Sequence, residues 1–170
     1  FKNNVDGGLM VAVNAIRSAS AANSFISVTE EGKVAMFRTG GNPHCHVILR
    51  GGKSPNYDAA SVAGCEAELK KAGLIENVMI DCSHGNSNKD HRNQKLVLDE
   101  VAQQINSGNK SIIGVMIESN LEEGNQPIPD DLDDLKYGVS VTDACIDWST
   151  TETVLREFAG SISESLKARA

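Results

Sequence analysis

An imidazole and a carboxylate each stand just past a run of apolar residues: His84 closes Val78-Met-Ile-Asp-Cys-Ser-His84 and Glu118 closes Ile112-Ile-Gly-Val-Met-Ile-Glu118. A second carboxylate, Asp143, follows in Ser140-Val-Thr-Asp143. One histidine and two carboxylates suit one divalent metal, Mn, Fe, Co or Zn, that keeps a position open for water or substrate. If the apolar runs are parallel strands, their C-terminal ends share one rim and the side chains just beyond them converge. Each residue also has a plainer use. His84 and Glu118 fit as rim groups bonded to each other or to a helix N-terminus, and Asp143 fits as a helix cap. Cations accompany the set: Arg50-Gly-Gly-Lys53 follows Val47-Ile-Leu49, and Lys2 stands at an earlier strand end. A guanidinium there can grip phosphate or carboxylate bidentately, while the alternative for each cation is a surface pair with one of the chain's many carboxylates.

Other patterns carry less. Gly52-Lys53-Ser54 would need a glycine at position 47 to be a phosphate-binding P-loop, and that position is Val47. His44-Cys45-His46 has no matching second pair, so its histidines read as solvated or core groups. The aspartates at 130, 131, 133 and 134 lack the central glycine and closing glutamate of a calcium loop and read as a solvated face. His91 lies at a polar helix start with no chemical role expected. No Gly-x-Ser-x-Gly elbow supports nucleophilic hydrolysis.

The elements that must hold these residues follow from periodicity. Leu9, Val13 and Ile16 mark a first helix, and two short runs, Ser24–Val28 and Lys33–Phe37, flank a turn that predicts an antiparallel β-hairpin over about 24–38. Strands at Val47–Leu49, Val78–Cys82 and Ile112–Ile117 then alternate with helices over about 58–72 and 90–106. A last helix reads as opening on the capping box Ser149-x-x-Glu152 and burying Leu155, Phe158, Ile162 and Leu166. Strands apolar on both faces, alternating with amphipathic helices, predict an α/β fold with a parallel sheet covered by helices. The three βα units and the tail of an earlier one are too few to close a barrel of eight strands. No glycine-rich turn of a doubly wound sheet is seen, so half of a (β/α)8 barrel, a single unit over 1–170, is the expected architecture.

At 170 residues and 40% hydrophobic content, the chain can bury a core of its own. A formal charge of −7 argues against a nucleic-acid partner, which requires a concentrated basic face. No apolar run reaches the roughly 18 residues of a membrane span, and the N-terminus lacks the layout of a signal peptide, so a cytoplasmic protein is expected. The 4 cysteines contain no C-x-x-C, which fits reduced thiols.

The motifs Leu49-Arg-Gly-Gly-Lys53, Ile80-Asp-Cys-Ser-His-Gly-Asn86, Ile113-Gly-Val-Met-Ile-Glu-Ser119 and Ser140-Val-Thr-Asp-Ala-Cys145, with Phe1-Lys-Asn3 and Asp6-Gly7, occur in an order that resembles type I 3-deoxy-D-arabino-heptulosonate 7-phosphate (DAHP) synthase. The resemblance runs over essentially the whole chain and corresponds to the C-terminal half of that family's chain, from about strand five through helix eight of the barrel. It implies condensation of phosphoenolpyruvate with erythrose 4-phosphate, the first step of the shikimate route to aromatic amino acids. It implies that His84, Glu118 and Asp143 are three of four metal ligands and that Lys2, Arg50 and His84 contact phosphoenolpyruvate. The fourth ligand, a cysteine, and further arginines and a lysine belong to the family's N-terminal half, so the isolated chain is expected to be inactive. The resemblance further implies that Phe25, Ser27 and Phe37 line a pocket for an aromatic amino acid effector; a hairpin that packs its phenylalanines only for stability is the alternative. A homo-oligomer is expected.

Two other functions compete. The chain can act as a non-catalytic half-barrel that binds an anion or an aromatic amino acid, or serves as an interaction module. Another phosphoenolpyruvate-using aldol synthase, such as 3-deoxy-D-manno-octulosonate 8-phosphate synthase, matches the hairpin and Thr142-Asp-Ala-Cys145 less well.

Overall fold

Alternating apolar and amphipathic stretches become alternating strands and helices in a computed structural model that describes residues 1–169. Helix α1 (Met10–Ser20) buries Ala12, Val13 and Ile16. The antiparallel hairpin of β1 (Asn23–Val28) and β2 (Val34–Thr39) follows, paired in register from Asn23 opposite Thr39 to Val28 opposite Val34. Then come β3 (Val47–Leu49), α2 (Ala59–Lys71), β4 (Val78–Asp81), α3 (Gln94–Asn106), β5 (Ile112–Met116) and α4 (Trp148–Lys167).

The strands β3, β4 and β5 form a parallel sheet in that order, with Leu49 opposite Ile80 and Ile80 opposite Val115. Lys2 pairs in parallel with Ile48 on one side, and Ser119 pairs in parallel with Ile146 beyond β5. The segment at Ile146 is one parallel element more than the sequence reading counts. It is too short to give a periodic signal, and the loop before it reads as polar throughout.

Val47, Leu49, Val78, Ile80 and Ile112 are buried beneath α2 and α3, where Val62, Cys65, Leu69, Val97, Val101 and Ile105 complete one apolar cluster. Each such aliphatic side chain contributes about 1.5–3 kcal/mol when taken out of water. Burial also pushes the Cys65 and Cys82 thiols up to about 12, so both sulfurs stay protonated in the core. Among the described residues no helix is long and apolar enough to cross a membrane.

Helix α4 departs from expectation at its start and on its face. Asp147, not Ser149, caps it: the Asp147 carboxylate accepts from the Thr150 amide at 2.6 Å. The buried residues are Thr151, Val154 and Ile162, with Phe158 partly buried, while Leu155 and Leu166 are 41% and 44% exposed. Phe158 and Ile162 keep the expected stripe, while Thr151 and Val154 are buried in place of Leu155 and Leu166. The Thr151 hydroxyl donates to the Asp147 carbonyl and bonds the Ser119 hydroxyl at 2.6 Å, tying the first turn of α4 to the segment that follows β5.

Candidate metal and anion site

The three candidate ligands meet. His84 Nε2 lies 3.5 Å from a Glu118 carboxylate oxygen and 3.6 Å from an Asp143 oxygen. One donor atom from each of the three falls within 4.8 Å of the others. Among the described residues no lysine or arginine pairs with Glu118 or Asp143. Two carboxylates turned toward one imidazole nitrogen without a cation repel each other, and a divalent ion between them removes that repulsion. The donor set thus fits Mn, Fe, Co or Zn. Asp143 is exposed and does not cap α4.

Local structure explains the aim of each group. His84 sits in the left-handed region at φ 50, which folds its side chain back over the end of β4. Its Nδ1 comes within 2.9 Å of Asp81 Oδ2, yet the ring N–H direction misses that oxygen, so Nδ1 is close to the carboxylate without forming an aligned hydrogen bond. Glu118 is held at both ends. Its amide donates to Gln94 Oε1 at 2.8 Å, its carbonyl accepts from Gln94 Nε2 at 2.9 Å, and its carboxylate accepts from the Ser83 hydroxyl at 2.7 Å.

The loops after β3 and β4 are locked together by main chain. A Cβ on Gly51, which has φ +76, would stand 2.5 Å from the Gly85 carbonyl carbon, and one on Gly52 would stand 2.5 Å from the Gly7 amide nitrogen. Only glycine permits that approach. Asn86 donates to the Leu49 and Asp81 carbonyls, and Asn3 accepts from the Arg50 amide at 2.8 Å while donating to the Gly51 carbonyl. These asparagines are buried and satisfied, which fixes the rim in one conformation.

Arg50 and His84 line one cavity of about 450 Å3 together with Ser83, Lys89, Glu118 and Asp143. Among the described residues the Arg50 guanidinium makes no ion pair, so it is available to an anion. Lys2 is placed differently: its ammonium binds Asp81 Oδ2 at 2.8 Å and is not among the cavity's lining groups. Phe25 and Phe37 lie opposite each other on the hairpin with ring centroids 5.9 Å apart, and Ser27 follows on the same face by strand alternation.

Sequence reasoning missed several contributors. Asp81 was hidden inside an apolar strand run, although a carboxylate in such a run is itself a signal. Gln94 occupies an apolar phase of α3 ahead of Val97, Leu98 and Val101, which marks it as a buried polar group needing a partner. His91 lines the cavity and pairs with Glu123 at 2.8 Å, so it is more involved than expected. His44 is exposed and His46 half-buried, and neither belongs to the clustered set of His84, Glu118 and Asp143.

A model of the DAHP synthetase I family matches residues 1–156. The chain is 54% identical over 169 residues to the Tyr-sensitive phospho-2-dehydro-3-deoxyheptonate aldolase of Salmonella typhimurium, covering 99% of this chain and 48% of that protein. It is 51% identical over 162 residues to the Phe-sensitive enzyme of Escherichia coli K12, covering 95% of this chain and 46% of that protein. The solved phospho-2-dehydro-3-deoxyheptonate aldolase of Francisella tularensis SCHU S4 superposes with a TM-score of 0.86 at 48% identity, over 96% of this chain and 47% of that chain. The chain spans about half the length of these three relatives.

Proposed function

The chain belongs to the DAHP synthetase I family, and from that premise we propose that it supplies the metal-binding and phosphoenolpyruvate-binding part of a DAHP synthase. The reaction is the condensation of phosphoenolpyruvate with erythrose 4-phosphate to DAHP and phosphate in aromatic amino acid biosynthesis. The observation that carries this reading is the meeting of His84, Glu118 and Asp143 within 4.8 Å, beside an unpaired Arg50.

In this reading His84, Glu118 and Asp143 hold one divalent cation. Such an ion acts as a Lewis acid that polarises an aldehyde oxygen. The protein's own groups do the positioning. Arg50 binds the anionic end of phosphoenolpyruvate in its guanidinium fork, and Lys2 adds positive charge from the neighbouring strand end. Ser83 and Gln94 hold Glu118 by side chain and backbone, so the ligand does not have to be ordered when substrate arrives. The methylene carbon of phosphoenolpyruvate bonds to the aldehyde carbon, whose oxygen takes up a proton; water adds at the enol phosphate carbon, and the bond from that carbon to the phosphate oxygen then breaks, leaving a ketone and inorganic phosphate.

The parallel run from Lys2 to Ile146 is taken as an arc of a (β/α)8 barrel, one unit over 1–170, with the hairpin inserted. A fourth ligand and further cations come from the remainder of the barrel, so the 170-residue chain alone is expected to be inactive. The Tyr-sensitive and Phe-sensitive relatives support an aromatic amino acid effector, with Phe25, Ser27 and Phe37 as its proposed pocket. The exposed aliphatic residues of the hairpin support a homo-oligomer.

The test is erythrose 4-phosphate-dependent consumption of phosphoenolpyruvate by the chain extended upstream of Phe1, with metal content measured alongside. Turnover that requires His84 and Arg50 is expected; a metal-loaded extended chain with no turnover would overturn the proposal.

A further inference from the structure

Among the described residues, Asp81 is the only charged side chain that is buried, at 0% exposure. A carboxylate is kept in such a place only when donors satisfy it, and Asp81 accepts from two and lies beside an imidazole nitrogen as well. Lys2 Nζ stands 2.8 Å from Oδ2, the Ser83 amide donates to Oδ1 at 2.9 Å, and His84 Nδ1 stands 2.9 Å from Oδ2. The last contact exists because His84 adopts φ 50, an uncommon conformation that costs energy and turns the ring back toward the residue three positions earlier.

A neutral imidazole carries its proton on one nitrogen and accepts at the other. With an anion beside Nδ1, the proton belongs there, and Nε2 is left as an acceptor facing two further acceptors at 3.5 and 3.6 Å. That face is matched only by a cation. We propose that Asp81 is the positioning residue of the rim site, holding His84 in the Nδ1–H tautomer so that Nε2 presents its lone pair to a divalent ion shared with Glu118 and Asp143. Lys2 is the counter-charge that Asp81 meets in the core, at 2.8 Å. The inference rests on the metal reading above for its purpose, while the tautomer is a property of the metal-free chain.

The first measurement is a long-range 1H–15N correlation spectrum of the metal-free chain above neutral pH, with the His84 signal identified by its loss in His84→Ala. Nδ1–H is expected to dominate; a dominant Nε2–H form overturns the proposal without any substitution at Asp81. Asp81→Asn is then expected to shift the ring toward Nε2–H and to weaken Mn2+ affinity by about 10- to 100-fold, the usual cost of losing an outer partner of a histidine ligand. In a His84→Ala background the same change should cost nothing further, because Asp81 acts through His84. An undiminished additional loss there overturns the proposal as well. If the wild-type chain binds no Mn2+, the metal reading fails, and the spectrum alone still decides what Asp81 does to His84. Should Asp81→Asn not fold, the wild-type spectrum decides in the same way.

Discussion

The rim beyond β3 and β4 and the hairpin β1–β2 both carry residues expected to bind small molecules, yet the fold treats them in opposite ways. The rim is fastened by buried asparagines, by glycines in backbone contact and by a carboxylate with no exposure. The hairpin's strands are exposed along nearly their whole length, with Ile26, Val28, Val34 and Met36 between 59% and 75% exposed on one face. Positioning on the rim is thus built into the chain, while the hairpin presents apolar surface and stays aligned mainly through its own register. A preorganised constellation can select a ligand by itself, whereas a two-stranded ribbon is marginal in water until another surface covers it.

Two glycines sharpen that contrast most. Gly51 and Gly32 have nearly the same φ, +76 and +75, but a Cβ on Gly51 would meet backbone at 2.5 Å whereas one on Gly32 would meet nothing within 4 Å. Gly51→Ala is expected to lower stability by about 3–5 kcal/mol in urea denaturation, since steric overlap adds to backbone strain. The difference vanishes if the rim loops can part at little cost. Next in size, His84→Ala should reduce Mn2+ affinity by about 100-fold or more, because a ligand matters at least as much as its outer partner. Isothermal titration reads this directly, and equal affinity in the variant would remove His84 from the ligand set.

A smaller effect comes from the core beneath the rim. The Cys82 thiol has an ordinary value of 9.0 and is raised to about 12 chiefly by burial, with the Asp81 charge adding to it. The folded state therefore holds this proton more tightly than the unfolded chain does. Its contribution is full below about pH 9 and is lost as pH rises toward about 12, so stability should fall by about 1 kcal/mol between pH 8 and pH 10. Cys65, raised to the same value, adds a similar fall, so Cys82→Ala should remove about half of the combined loss in the urea-midpoint profile. At the hairpin, Gly32→Ala is expected to cost only about 1 kcal/mol, and Ile26→Ala to stay within about 0.5 kcal/mol. A large loss from either would show that the hairpin is bound to something in solution.

Much of this was legible in the sequence. Val78–Asp81 and Ile112–Met116 are apolar runs bounded by polar residues, and the residues just past them are the ones the fold brings together. Helices α2 and α3 fall within a few residues of the expected spans because Asp58 and Gly73, and Asp90 and Gly108, punctuate them. What escaped was set by tertiary pairing. The parallel bridge at Ile146 has no run of its own to announce it. On α4 the polar Thr151 is buried and bonded to Ser119 across the fold, a contact that periodicity within one helix cannot report. Lys2 was expected to face a substrate and is engaged by Asp81, whose depth became evident only once the strands were packed.

The contact between Gly51 and Gly85 means that the spacing of the Arg50 and His84 backbones is measured out in peptide groups. Rotamer changes and repacking nearby leave such a ruler unaltered. Replacements among the surrounding side chains can therefore retune charge and shape at the cavity mouth while the backbones that carry Arg50 and His84 keep their separation.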